Sequence, residues 1–237
     1  MRLLITRPRE DADTFAVLLR ARGHAPVVAP VMEVRLHDGP ALALTSVQAV
    51  LATSANGIRA LARRTERRTV AVYAVGPQTA EAAKSAGFKT VNNAEGDSTA
   101  LVEFVAERAD PAKGSLLHAA GAETAGRLRQ ALQAKGFTVE TEVLYDAVPV
   151  SAMPDNAKQA LKEGALDGVL LFSPRSAKTF ATLTAEAELQ HSCAALQAFC
   201  ISAATAAALA PLTFARVAVA GAPNQDEMLA LLRPAEA

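Results

Sequence analysis

An internal repeat is the feature that most constrains how this chain of 237 residues can fold. Residues 3–34 align with residues 116–147 at a constant offset of 113 positions, and Gly23 corresponds to Gly136. Each copy has the pattern of a short apolar strand, a loop, an amphipathic helix and a glycine that can end the helix in a left-handed conformation. The repeat therefore predicts two structurally equivalent halves.

Two more segment pairs recur in the same order. Residues 49–55 resemble 168–174 at an offset of 119, and residues 75–80 resemble 201–206 at an offset of 126. The growing offset predicts an insertion in the region 181–198. Strands that alternate with helices indicate a parallel sheet flanked by helices, and the continuous apolar runs QAVLATS and DGVLLFS are typical of strands buried on both faces.

The predicted fold class is α/β, with two three-layer domains, each built on a parallel sheet. Segments 31–36 and 143–149 alternate apolar and polar residues, which is typical of strands exposed on one face. If these segments pair, they form a two-stranded β connector that acts as a hinge. Domain 1 is then discontinuous, with residues 1–30 and 150–237, and domain 2 is the continuous block 37–142.

Composition excludes several classes of protein. Lys plus Arg equals Asp plus Glu, at 24 each, whereas a nucleic-acid binder usually has a basic excess. The two cysteines, Cys193 and Cys200, are expected to be small buried side chains rather than a disulfide framework. The N-terminal apolar run ends at Arg7 and Pro8, and no run approaches the roughly 20 residues of a membrane span. We therefore expect a cytoplasmic protein that binds neither nucleic acid nor membrane.

Hydroxyl side chains follow the predicted strands in both halves. In open α/β sheets, ligands bind beyond the carboxyl ends of the strands, where helix N-termini attract anions. The loops concerned carry Ser54, Thr79, Ser173, Ser176 and Thr205. Each hydroxyl could instead serve only as a helix N-cap. Because the pattern recurs in both halves, it favours two sets of helix N-termini that together hold a polyanion without a net positive charge.

Other candidate residues are fewer. Arg7 is a basic residue beside the first of these loops, although it could also be an ordinary surface charge. The arginine-rich segment 63–68 is predicted to be a solvated loop, and the four histidines lack metal-ligand spacing. Tyr145 lies in the predicted connector, where its phenol could donate a hydrogen bond to a leaving hydroxyl group. The alternative is an aromatic side chain packed at the domain junction.

An ordered set of short motifs resembles the uroporphyrinogen-III synthase family. The resemblance spans nearly the whole chain, and its motifs are T-R-P (6–8), P-V-M-E-V (30–34), T-S-A-N-G (53–57), V-G-P-Q-T-A (75–80), L-Y-D-A-V (144–148), F-S-P-R-S-A (172–177) and I-S-A-A-T-A (201–206).

This resemblance implies a fold, a substrate and a reaction. The family has two α/β domains joined by a two-stranded ladder, with the active site in the cleft between them. Its substrate is hydroxymethylbilane, a linear tetrapyrrole with eight carboxylates. The reaction of this hydro-lyase loses water to form an azafulvene, passes through a spiro intermediate and leaves ring D inverted. The resemblance implies that no metal or organic cofactor takes part, and we expect a monomer.

The resemblance also implies roles for individual residues. Substrate carboxylates in the family are held by backbone N–H groups and hydroxyls at helix N-termini, which adds Asn56 to the candidates above. The substrate-binding set is therefore Arg7, Ser54, Asn56, Thr79, Ser173, Ser176 and Thr205. Tyr145 matches the family tyrosine that assists loss of the hydroxyl group, so it is the expected catalytic residue.

Two positions depart from the family pattern. Ser202 stands where the family often has glycine, which puts a close approach of a carboxylate to the backbone in doubt. The segment from His118 to Gly121 lacks an arginine that is frequent before the glycine.

Two other functions remain open. The chain could be a non-catalytic binder or regulator of an anionic ligand, or a different lyase or transferase on a similar duplicated fold. Tyr145 and the two threonine loops favour the synthase.

Overall fold

The computed structural model describes residues 1–123 and 127–232, which cluster into two compact units. Unit 1 comprises Met1–Glu33 and the chain from Val148 onward, and unit 2 is the continuous stretch Val34–Ala147. The chain therefore leaves unit 1 once and returns to it once.

Strands and helices alternate along most of the chain, as the sequence predicts. In chain order they are β1 (Arg2–Ile5), α1 (Arg9–Ala21), β2 (Ala25–Val28), β3 (Met32–Leu36), β4 (Val47–Ala52), α2 (Ala55–Arg64), β5 (Ala71–Ala74), α3 (Pro77–Ser85), β6 (Val91–Asn93), α4 (Ser98–Arg108), β7 (Ser115–Gly121), α5 (Arg127–Ala134), β8 (Val139–Pro149), α6 (Asp155–Lys162), β9 (Gly168–Leu171), α7 (Pro174–Glu186), β10 (Gln197–Cys200), α8 (Ala203–Ala207), β11 (Arg216–Val219) and α9 (Gln225–Ala230). Short 3₁₀ helices cover Pro111–Lys113 and Gln190–Ala195.

Unit 1 is built on a five-stranded parallel sheet in the order β11-β10-β9-β1-β2. The central strand β9 is buried along its whole length, which explains its continuous apolar sequence. The core of unit 1 includes Phe15 of α1 and Phe199 of β10, which are at most 1% exposed, together with Met228 of α9. Helices therefore cover this sheet through interlocking apolar side chains.

Unit 2 is built on a six-stranded sheet in the order β3-β8-β7-β4-β5-β6. Five neighbouring strands of this sheet, β8, β7, β4, β5 and β6, pair in parallel. The edge strand β3 runs antiparallel to β8, because the His37 N–H donates to the Leu144 carbonyl (2.8 Å) and the Val150 N–H donates to the Val31 carbonyl (3.1 Å). The two predicted connector segments thus pair with each other.

The predicted duplication is present in the structure. The order β6-β5-β4-β7-β8 in unit 2 matches β11-β10-β9-β1-β2 in unit 1, strand by strand. The helix ends match as well, since the carbonyls of Leu19 and Leu132 each accept backbone N–H groups three and five residues later. Gly23 and Gly136 follow these helices with positive φ angles of 77° and 89°. The insertion predicted within 181–198 contains the 3₁₀ helix Gln190–Ala195.

The arginine-rich segment 63–68 is only in part the solvated loop that the sequence predicts, because Arg63, Glu66 and Arg67 are exposed whereas Arg64 and Arg68 are not. Arg64 is 9% exposed and its Nε donates to the Pro40 carbonyl (2.7 Å), while the Nε of Arg68 donates to the Ala86 carbonyl (2.8 Å). The chain between α2 and β5 has few backbone partners of its own, so guanidinium groups satisfy nearby carbonyls instead. Arg64 and Arg68 therefore stabilise the neighbouring loops through hydrogen bonds to their carbonyls.

Both cysteines lie in the core of unit 1. Cys193 and Cys200 are free and fully buried, and burial raises the pKa of both thiols to about 11. They are therefore the inert, buried side chains that the sequence predicts. Within the described ranges, no helix combines the length and apolar character that crossing a membrane requires.

The matched glycines give a test of the duplicated helix ends. A Cβ atom at Gly23 or Gly136 would meet no atom within 4 Å, so the cost of Gly→Ala arises from the left-handed backbone alone. We expect Gly23→Ala and Gly136→Ala each to lower the free energy of unfolding by about 1 kcal/mol in urea titrations. The matched variants Gly23→Asn and Gly136→Asn should lose less, because asparagine tolerates this conformation. Equal losses for alanine and asparagine would contradict this explanation.

Candidate functional site

The candidate loops of each unit lie at one edge of its sheet. Because the strands are parallel, their carboxyl ends collect at the same edge. The order of connection reverses between β1 and β9 in unit 1, and between β7 and β4 in unit 2. Ligands of open α/β sheets bind at such reversal points, so this edge is the expected ligand-binding edge of each unit.

In unit 2, Ser54 and Asn56 begin helix α2. The Ser54 hydroxyl accepts the Asn56 backbone N–H (3.1 Å), which makes Ser54 a helix N-cap. Asn56 is 8% exposed and its side-chain oxygen accepts from Arg59 (2.7 Å). Since that oxygen is occupied, the amide NH₂ of Asn56 is the part suited to an anionic ligand.

Helix α3 begins without a side-chain cap. Its N-cap is Gly76, which has no side chain to accept a backbone N–H of the first turn. Thr79, the third residue of the helix, is 5% exposed. In the part of the chain that the structure describes, the Thr79 hydroxyl has no hydrogen-bond partner. This helix start therefore has an uncommitted hydroxyl beside uncapped backbone donors, which suits a carboxylate.

In unit 1, Ser173 and Ser176 form a closed arrangement at the start of α7. The Ser173 hydroxyl accepts the Ser176 backbone N–H (3.0 Å), and the Ser176 hydroxyl donates to the Ser173 carbonyl (2.9 Å). Ser176 is 5% exposed. Both hydroxyls stabilise the helix start, and Ser173 is the more accessible of the two predicted binding residues.

Thr205 is positioned differently from its repeat partner Thr79. It is 0% exposed, its hydroxyl is 3.0 Å from that of Ser202, and the Ser202 hydroxyl also accepts its backbone N–H (3.2 Å). Ser202 therefore caps a helix start whose counterpart, at Gly76 in unit 2, is uncapped. The predicted substrate contact of Thr205 would require this cap to open.

Arg7 follows β1 and is 8% exposed. Its guanidinium lies 4.3 Å from the centre of the Phe172 ring and 3.3 Å from the Asp11 carboxylate. The carboxylate balances its charge, and the ring covers one face of it. These contacts hold Arg7 rigidly at the carboxyl end of β1, beside the strand that leads to Ser173.

Tyr145 lies on β8 where the strand pairing is irregular. Ala120 pairs with Val143, whereas Gly121 pairs with Tyr145, so Leu144 is an extra residue that forms a β-bulge. The consecutive residues Leu144 and Tyr145 are buried, at 0% and 7% exposure, and both belong to the same apolar cluster. A Cβ atom at Gly121 would lie 2.7 Å from Tyr145 Cζ, so the ring covers the last residue of β7. The phenol is therefore at the same sheet edge as the start of α2.

Three residues near this edge are not predicted as part of the site. Gly121 makes room for the Tyr145 ring, and His37 donates hydrogen bonds to β8 on both sides of Tyr145. An antiparallel pairing of the two predicted connector segments that sets Val31 opposite Val150 also sets His37 opposite Leu144. This register is the sequence signal that could have identified His37. His118 is fully buried on β7, with Nε2 3.5 Å from the Thr53 hydroxyl, and burial lowers its pKa to about 4. It is therefore neutral at physiological pH.

A cavity of about 860 Å³ lies elsewhere in unit 1. It is lined by residues at the amino ends of three strands, Met1, Gln197 and Arg216, and therefore opens at the edge opposite the candidate loops. It is separate from the candidate site. Within residues 1–123 and 127–232, no three His, Cys, Asp or Glu side chains come close enough together to hold a metal ion.

Comparisons with known proteins agree on one family. A model of the family described as uroporphyrinogen-III synthase HemD matches residues 13–230. A uroporphyrinogen-III synthase from Synechococcus elongatus is 28% identical over 203 residues, which are 77% of this chain and 74% of that protein.

Solved structures show the same fold at low sequence identity. A uroporphyrinogen-III synthetase from Helicobacter pylori is 18% identical with a TM-score of 0.65, and the match covers 98% of both chains. A mutant uroporphyrinogen III synthase from Thermus thermophilus is also 18% identical, with a TM-score of 0.51 and coverage of 97% of this chain and 96% of that chain.

The contrast between Thr79 and Thr205 predicts different effects on stability. Thr205→Val removes the partner of the Ser202 hydroxyl, so it should lower the free energy of unfolding by about 1 kcal/mol. Thr79→Val removes no hydrogen bond between described residues and keeps the side-chain shape, so stability should change by less than about 0.5 kcal/mol. Urea titrations of both variants compare the two costs. A larger loss for Thr79→Val would reverse the assignment of the capped and uncapped helix starts.

Proposed function

This chain belongs to the uroporphyrinogen-III synthase family, the lyases that close the tetrapyrrole ring, and we propose that it converts hydroxymethylbilane into uroporphyrinogen III. In this reaction the terminal hydroxyl group leaves with the proton of a pyrrole N–H as water, which forms an azafulvene. The substituted carbon of ring D then attacks to give a spiro intermediate. Its fragmentation and re-closure leave ring D inverted.

The observation that carries the proposal is the position of Tyr145. Its ring covers the last residue of β7, at the sheet edge where helix α2 begins and the order of connection reverses. At 7% exposure the phenol is largely shielded from water, so a hydrogen bond that it donates is stronger than in solution. We assign to Tyr145 the donation of a hydrogen bond to the departing hydroxyl group.

The helix starts are proposed to bind the substrate carboxylates. Ser54, Asn56 and Thr79 in unit 2, and Ser173 in unit 1, lie at helix N-termini whose partial positive charge attracts carboxylates. The start of α3 is the best supported of them, because Gly76 leaves its backbone donors uncapped. This binding explains how a chain with equal numbers of acidic and basic residues could recognise a polyanion.

Three residues are assigned supporting roles. Arg7 and Ser176 are held by contacts within unit 1, and Thr205 is bonded to Ser202. We propose that they position the loops of unit 1 and that Ser173 makes the direct contact. Binding energy spent on holding a flexible tetrapyrrole in one geometry favours the spiro closure over the simple closure, so the reaction needs no strongly acidic group.

The activity is tested by the isomer of the product. Freshly generated hydroxymethylbilane is mixed with the protein, and the type III and type I uroporphyrinogens are separated after oxidation. We expect the III isomer to dominate and its formation to be proportional to protein concentration. If only the I isomer forms, at the spontaneous rate, the proposal of synthase activity fails.

The role of Tyr145 is tested by removing its hydroxyl group. Tyr145→Phe should lower kcat by about 10²-fold and change KM much less, because the hydrogen bond forms mainly as the hydroxyl group leaves. Tyr73→Phe is the matched control, since Tyr73 is the only other tyrosine and packs edge-on against Phe104 in unit 2. If the Tyr145→Phe protein folds and retains the kcat of the parent, the catalytic assignment fails and Tyr145 is a packed aromatic side chain.

A further inference from the structure

His37 makes three hydrogen bonds to the segment of β8 that contains Tyr145. Its backbone N–H donates to the Leu144 carbonyl (2.8 Å), its Nδ1 lies 3.1 Å from the Val143 carbonyl, and its Nε2 lies 2.8 Å from the Asp146 carboxylate. His37 directly follows β3 in the chain. It therefore contacts the residues on both sides of Tyr145.

The partners of the imidazole select its protonated form. A carbonyl oxygen and a carboxylate oxygen are both acceptors only, so both ring nitrogens must carry a proton for the two bonds to exist together. A neutral imidazole has one N–H and would leave one of the two acceptors facing a lone pair. Only an imidazolium ion therefore satisfies both acceptors at once.

The charges around His37 agree with this assignment. The hydrogen bond to Asp146 is the largest influence on the His37 pKa and raises it, and the bond to the Val143 carbonyl acts in the same direction. Partial burial and the positive charge of Arg64, at the end of α2, oppose the shift. Arg64 is itself paired with Glu142 of β8 (3.3 Å), which reduces its effect.

The bonds of His37 act on β8 at its irregular point. The bulge at Leu144 interrupts the regular pairing with β7, so the backbone there depends on contacts from both neighbours. On the β7 side, the Ala122 N–H donates to the Tyr145 carbonyl (3.1 Å). On the β3 side, His37 is bonded to the residues before and after Tyr145. Together these contacts fix the backbone that carries the Tyr145 ring.

We propose that protonated His37 is a positioning residue for Tyr145, and that the imidazolium clamps the bulged segment of β8 in the geometry that the reaction requires. This role rests on the proposed function of Tyr145. His37 does not touch the reacting atoms. When the imidazole loses its proton, one of the two side-chain bonds is lost and the phenol becomes less precisely oriented.

The pH dependence has a definite sign. The folded pKa of His37 is raised above the ordinary value of 6.5, so the clamp is complete below that pH and is lost as the pH rises through the folded pKa. His37→Gln can still donate one hydrogen bond, but it does not titrate. The ratio of parent kcat to His37→Gln kcat should therefore be largest at low pH and approach one at high pH.

The central experiment measures this ratio from about pH 5.5 to about pH 9. At low pH we expect the parent to be about two- to fivefold faster, the range for a part-exposed ion pair. His191→Gln, which changes an exposed histidine of unit 1, is the matched control and should leave the ratio at one throughout. A ratio that is independent of pH would overturn the proposal, because a purely structural bond does not titrate.

A second measurement separates this proposal from the role of Tyr145. The imidazole proton resonances of His37, assigned with His37→Gln, should titrate above pH 6.5 in the parent and at a lower pH in Asp146→Asn. A titration unchanged by Asp146→Asn would overturn the clamp even where Tyr145→Phe is inactive. If Tyr145→Phe retains the parent rate while the titration behaves as expected, the clamp stands and the role proposed for Tyr145 fails.

Discussion

Parallel pairing of the strands is the constraint on which the rest of this structure depends. Adjacent parallel strands cannot be joined by a tight turn, so the chain must cross over the sheet, usually through a helix. A helix follows each of the strands β1, β9, β10 and β11 in unit 1 and β4, β5, β6 and β7 in unit 2, and the starts of these helices collect at one edge of each sheet. A protein with no excess of basic residues can thus gather several anion-attracting sites at one edge without a cluster of like charges. The candidate site follows from the sheet geometry before any particular side chain is considered.

The sequence predicts those parts of the fold that depend on local pattern. The offset of 113 positions identifies Gly23 and Gly136 as equivalent helix ends, and both have the left-handed conformation that glycine allows. Ser54 and Ser173 are the helix caps that their positions after a strand predict. Other features depend on long-range contacts that no local pattern contains. Arg64 is 9% exposed and donates to the Pro40 carbonyl, which lies 24 residues earlier in the chain.

The two halves keep the same frame and differ in the chemistry of their helix starts. Gly76 and Ser202 occupy equivalent positions, yet glycine leaves the first turn of α3 uncapped, whereas the serine hydroxyl caps the first turn of α8. Among the described residues, the hydroxyl of Thr79 has no hydrogen-bond partner, whereas that of Thr205 lies 3.0 Å from the Ser202 hydroxyl. A capped helix start is more stable, and an uncapped one retains donors for a ligand. The alignment of the repeat pairs these two positions but does not distinguish the capped helix start from the uncapped one.

The β-bulge at Leu144 is a feature of β8 that the alternation of apolar and polar residues does not predict. Regular alternation along β8 would put Leu144 and Tyr145 on opposite faces of the sheet, whereas both side chains belong to one apolar cluster. An irregular strand lacks part of the hydrogen-bond ladder that would fix it, so its geometry must be held by other contacts. The antiparallel partner β3 ends where His37 can reach three acceptors around the bulge, which belong to residues on either side of Tyr145. The aromatic ring packed over Gly121 and the hydrogen bonds of His37 thus meet β8 at the same irregular point.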